Sequence, residues 1–145
     1  MAKASVDLVV ALRATAARLE AGAAYQWGHH GQCNCGHLAQ TICGVGGGEL
    51  HRFALERDGD WETLANDHCP SSGHRIDDVI DRLVAAGLDT DDLRHLERLD
   101  DVRVLDRLPG GRRWLAHNVR DDAIAYLRAW ADLLEAALPA PARAA

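Results

Sequence analysis

From His29 to His37 the chain reads His-His-Gly-Gln-Cys-Asn-Cys-Gly-His, which places three histidines and two of the four cysteines within nine positions. Thiolate sulfur and imidazole nitrogen are the donors that borderline metals prefer, and zinc takes four of them in a tetrahedron. His30 and Cys33 are separated by Gly31 and Gln32, and the glycine permits the tight turn that would aim both at one point. Cys35 follows in a Cys-x-Cys step. A closed site needs another donor from a distant segment, and Cys69, at the end of a predicted helix beside Pro70, suits that place. The expected metal set is His30, Cys33, Cys35 and Cys69, with His29, His37 and His68 competing for the nitrogen position. Zinc is the expected ion, with iron or an iron–sulfur cluster as the alternative. Cys43 falls outside the set: eight residues of helix beyond Cys35 carry it about 12 Å along the axis, whereas zinc–sulfur bonds are about 2.3 Å. It belongs with the core, where free cysteine behaves as a small hydrophobe.

A second chemistry is nucleophilic. With Asn34 as N-cap, Cys35 would be the first helical residue, where unpaired N–H groups and the helix dipole favour thiolate. In presenting a cysteine at a helix start, the segment resembles papain-like hydrolases. That resemblance implies a histidine base and a polar orienter, for which His51, His68 or His74 and Asp67 or Asn66 are the candidates. The chain departs from that family in having no strands to carry the base. Cys33 and Cys35 can also be read as a redox pair. His51 stands out as an open-site metal ligand or a general base.

Other spacings carry less. Gly46-Gly47-Gly48 lacks the Gly-Lys-Ser/Thr ending of a phosphate loop and reads as a helix stop and hinge. Glu49 and His51, two apart on one helix, point to different faces, and His95 with Glu97 fails the same test. His117 and Asp121 straddle a helix boundary at Asn118. Trp27 and Trp61 flank the two cysteine segments and are placed to shield a site from water, while Trp114 and Trp130 read as packing.

These side chains must be positioned by helices, because no run alternates with strand period. Ser5 caps a first helix to about Ala21, with Val9, Leu12, Ala16 and Leu19 inward. A loop over 22–34 carries Tyr25, Trp27 and the ligand cluster. A helix capped by Asn34 ends near Gly44, and another begins at Glu49. Asp60 caps a short one through "WETLAND". Ile76, Val79, Ile80, Leu83 and Val84 mark the clearest amphipathic helix. Thr90 caps the next, and the last runs from Asn118 to about Leu138. The expected fold is all-α, one compact helical bundle of about six or seven helices over residues 1–138 with a metal-tied loop region in the N-terminal half, followed by a disordered tail over 139–145.

Composition narrows the function. A formal net charge of −6 opposes a general nucleic-acid binder, since phosphate contacts need a basic surface. No segment approaches the roughly 18 apolar residues of a membrane span, so neither membrane nor nucleic acid is an expected partner. Asp7 and Arg13 interrupt the apolar start, which argues against a signal peptide and for a cytoplasmic protein. There thiols stay reduced, so the cysteines read as ligands, nucleophiles or core residues. The expectation is a small metal-binding protein with a structural, regulatory or interaction role, open to a protein partner. The alternative is an enzyme using an open-site metal or the Cys35 thiolate, as hydrolase or redox nucleophile, with His51 as base.

Overall fold

A computed structural model describes residues 1–140; the remainder of the expected tail lies outside the described residues. Among these residues there are eight helices and no strand. They are α1 (Val6–Glu20), α2 (Asn34–Cys43), α3 (Gly47–Ala54), α4 (Trp61–Asn66), α5 (Arg75–Ala85), α6 (Thr90–Arg98), α7 (Val102–Leu105) and α8 (Arg120–Ala136). Six of them have eight residues or more. No described helix is long and apolar enough to cross a membrane.

The helical patterns land where periodicity places them. Leu8, Val9, Leu12, Ala16 and Leu19 are buried on α1, and Ile124, Leu127, Ala131 and Leu134 on α8. These two long helices pack on one another, and Arg13 joins them at the surface by pairing with Asp132 at 2.9 Å and Glu135 at 2.7 Å. Arg120, at the start of α8, donates to the carbonyls of Leu19 and Ala23 and so closes the exposed carbonyl end of α1. On α5, Ile76, Val79, Ile80 and Leu83 face inward, but Val84 is exposed because the inward stripe is one residue narrower than the sequence implies.

Helix α2 is the centre of the assembly, packing on α1, α3, α5 and α6. Its first six residues, Asn34 to Ala39, are all buried. Crowding of that kind requires glycine. A Cβ on Gly31 would sit 1.7 Å from the Gly47 carbonyl oxygen, and one on Gly36 would sit 2.2 Å from that of His30. Backbone therefore rests directly on backbone where the 22–33 loop meets α2 and α3.

Helix starts differ from the sequence reading in four places. Cys33, not Asn34, is the N-cap of α2, with its sulfur accepting the Gly36 N–H at 3.4 Å. Asp89 rather than Thr90 caps α6, in a reciprocal capping box with Asp92. Gly47 and Gly48 lie inside α3 rather than in a break before it. The last helix begins at Arg120 with Val119 as its N-cap, one residue beyond the expected cap Asn118. The short α7, capped by Asp101, has no counterpart in the periodicity because four residues are too few to show one.

The glycine contacts give a prediction of opposite signs. Gly31→Ala should destabilise by about 2 kcal/mol or more, since overpacking against fixed backbone costs about 1–3 kcal/mol. Gly48→Ala, inside α3, meets only the flexible end of Arg52 at 3.9 Å. It should stabilise by about 0.5–1 kcal/mol through helix propensity. Urea denaturation of both variants reads the difference, and equal effects would contradict the packing described.

Candidate functional site

The 22–33 loop folds on itself through Gln26 N–H to the Gln32 carbonyl and Gln32 N–H to that of His29, and it delivers two aromatic side chains to the start of α2. Tyr25 places its hydroxyl 2.5 Å from Asn34 Oδ1 and 3.1 Å from the His117 carbonyl. Burial and the nearby Glu97 push its pKa up, so it remains a donor. The Asn34 amide nitrogen donates to the carbonyls of Glu97 at 3.0 Å and His117 at 2.9 Å. Trp27 donates its indole N–H to the same Glu97 carbonyl at 3.2 Å, and its ring meets that of His117. Trp61, buried at the start of α4, donates its indole N–H to the His30 carbonyl.

These contacts frame a cleft of about 360 Å³ between the loop, the N-terminal end of α4 and the C-terminal end of α6. Trp27, Trp61, His30 and Cys33 line it together with Asp60, Glu62, Arg94, Glu97 and Arg98. Its volume lies within the ordinary range of small-molecule sites, about 300–1,000 Å³. Glu97 reaches past the cleft to accept the Cys35 N–H at 3.0 Å, and its carboxylate lies beside the Cys33 thiol. A carboxylate at an exposed helix start is favoured by the free N–H groups and by the dipole. A larger groove between α1 and the C-terminal ends of α2 and α5 is lined chiefly by alanines and other aliphatic groups, and offers no comparable set.

The expected metal ligands are not gathered. Among the described residues no three His, Cys, Asp or Glu side chains stand close enough to hold one ion. Cys35 is fully buried and donates its thiol hydrogen to the Leu93 carbonyl at 3.1 Å. Cys33 is buried at the cleft. Cys69 is exposed in the α4–α5 connection, 3.7 Å from Ser71 Oγ. The connection carrying it runs to α5 instead of returning to the loop, which is why the set stays open. Cys43 is buried against α5, as its helical position implies.

Histidines divide by partner. His30 turns Nε2 to the Gly59 carbonyl at 2.8 Å and leaves Nδ1 buried without a partner. His29 and His51 stack with ring centroids 3.9 Å apart, and their Nδ1 atoms accept the backbone N–H groups of Gly31 and His30. Each neutral ring is thus fixed with its hydrogen on Nε2. His37 is buried, with Nε2 on the Ala24 carbonyl and Nδ1 toward Arg18. His68 pairs with Asp81 on α5, away from the loop.

The nucleophile reading of Cys35 meets a similar obstacle. Burial, then the Glu97 charge, drives the pKa of both Cys33 and Cys35 well above the ordinary thiol value. The helix start that was to favour thiolate is already answered by a carboxylate, so both cysteines are neutral thiols. His51 is held by the His30 N–H and lies beside His29 and His30 rather than beside a thiol.

Sequence reasoning passed over Arg94 and Arg98 and weighed Glu97 only as a partner of His95. Their signal was spacing, since positions 94, 97 and 98 share one helical face at i, i+3 and i+4. Trp27 and Trp61 line one cleft, which holds Cys33 without Cys69. Compared with the models of known protein families, with curated proteins and with solved structures, the chain matches none.

Two expected outcomes follow from this geometry. Iodoacetamide near neutral pH should label Cys69 alone in the native protein and all four cysteines after denaturation, as counted by mass spectrometry. Early labelling of Cys35 would restore the nucleophile. The second outcome concerns acid. Burial lowers the pKa of His37, helped by Arg18 and Arg120, and burial with His29 and His30 lowers that of His51. The unfolded chain therefore binds more protons, so stability is full above about pH 6.5 and declines as pH falls below it. Asp92, raised to about 6 by burial, acts in the opposite direction at lower pH. Urea midpoints from pH 7 to 6 should fall, and fall less steeply in His37→Gln.

Proposed function

We propose that this protein is a non-catalytic binding module that takes a small organic ligand between the loop and α6, in the Trp27–Trp61 cleft. The carrying observation is the way the two indoles are held. Each gives its N–H to a backbone carbonyl, so both rings are fixed before a ligand arrives, and Trp27 is still 44 % exposed. Trp27, anchored in this way, offers stacking area at little cost in side-chain entropy, while Trp61, 2 % exposed, forms the fixed wall behind it. The thiols that would support covalent chemistry are neutral and engaged in hydrogen bonds.

A metal reading has one observation of its own. His30, with Nε2 on a backbone carbonyl and Nδ1 unpartnered, has the arrangement of many metal-ligating histidines, and Cys33 lines the same cleft. Zinc, iron or an iron–sulfur cluster would need two more donors there, with Cys35 directed at Leu93 and Cys69 on the surface.

Titration of the purified protein with indole, indole-3-acetate, tryptamine and benzamidine, followed by tryptophan emission and thermal shift, tests both readings. At least one compound should bind saturably and stabilise the fold, by about 2.7 kcal/mol at one hundred times its Kd. Trp27→Ala should abolish the effect, and Trp114→Ala, at an exposed tryptophan outside the cleft, should not. A chain carrying one zinc that leaves on Cys33→Ser, with no binding of any compound, would replace the organic ligand by the metal.

A further inference from the structure

Resting on the cleft reading, we infer that the ligand is an organic cation, a flat ammonium or amidinium compound, with its charge set against Glu97 and the exposed face of Trp27. The charges at the cleft decide this once their existing partners are assigned. Asp60 caps α4 by accepting the Thr63 N–H at 2.9 Å, which holds its carboxyl below the usual range. Glu62 pairs with Arg98 at 3.4 Å, and Arg94 pairs with Asp91 at 3.2 Å. Both arginines that would have welcomed an anion thus have carboxylate partners. Glu97 has no ion-pair partner among the described residues. One of its oxygens accepts a backbone N–H from Cys35, which fixes the carboxylate without neutralising it.

The helix ends agree. Two positive ends reach the site, and both are answered already: α2 by Glu97 and the Cys33 sulfur, α4 by Asp60. The end of α6 carries the opposite sign, and its Glu97 carbonyl is answered in turn by the Asn34 amide and the Trp27 indole, so the helix ends leave the Glu97 carboxylate as the charge that faces the cleft. Indole faces attract cations through their quadrupole, more strongly than other side-chain rings do. A neutral Cys33 thiol adds a soft, uncharged surface. A carboxylate with no ion-pair partner among the described residues and the exposed face of Trp27 converge on positive charge.

Isothermal titration of the full chain with three indole probes of one ring and different charge separates this inference from the cleft reading. Tryptamine should bind about tenfold or more tightly than indole, and indole-3-acetate more weakly than either. Glu97→Gln keeps an amide oxygen for the Cys35 N–H and should lower tryptamine affinity about tenfold while leaving indole unchanged. Arg98→Ala, at an exposed residue, frees Glu62 and should strengthen tryptamine binding; it decides the matter if Glu97→Gln does not fold. Indole-3-acetate binding as well as tryptamine, or tryptamine affinity indifferent to both substitutions, would overturn the cation while leaving the cleft as a site. No binding by any of the three would overturn both.

Discussion

The side-chain amide of Asn34 ties together three segments that no helix joins. It is 1 % exposed, yet its oxygen accepts from Tyr25 and its nitrogen donates to the carbonyls of Glu97 and His117. A buried amide without partners costs about 1–3 kcal/mol or more, so this side chain holds its place only if all three segments arrive together. The loop that carries Trp27, the end of α6 that carries Glu97 and the stretch before α8 are thereby set in register. The cleft is the space left between them and α4. Satisfied networks of this kind specify one arrangement more than they add stability.

The same residue explains why a cysteine does the work of a cap. An asparagine at the N-cap normally folds its side chain back onto its own helix. Here that side chain reaches outward to other segments, so the helix has shifted by one residue and Cys33 accepts the Gly36 N–H instead. Sulfur is a weak acceptor. Glu97 supplies the remaining compensation through the Cys35 N–H, and in doing so it raises the pKa of both thiols. Capping by Glu97 therefore adds to what burial, the larger cause, already does to the two thiols. Gly31 and Gly36, for their part, let the loop lie directly on α3 and on α2.

What the sequence made legible follows from range. Helices α1, α5 and α8 were readable because burial repeats along the chain at the helical period, and Cys43 could be assigned to the core from helical rise alone. The density of ligands at His29–His37 was real, but density along a chain measures only local reach. Cys69 was recruited across more than thirty residues by the chemistry of its side chain, with no signal for where its loop travels, and it lies on the surface. Glu97, set aside as a partner of His95, hid its role for the converse reason. Its partner Cys35 is 62 residues away, and a glutamate on an exposed helix face has the same spacing whether it meets solvent or a helix start. Asn34 was misread because capping and cross-linking use the same two polar atoms.

Two tryptophans near two cysteines invite a story of a shielded reactive centre, but burial opposes a thiolate first and charge opposes it second. A reactive thiol needs a positive neighbourhood to hold its thiolate, and Cys33 and Cys35 share a carboxylate instead. That carboxylate is retained because a helix start favours it, and it leaves the thiols protonated. The residue that adds to burial in keeping the thiols protonated is therefore also the one that gives the cleft a carboxylate with no ion-pair partner among the described residues. The proposed recognition of a cation and part of the suppression of thiol chemistry then share the placement of Glu97.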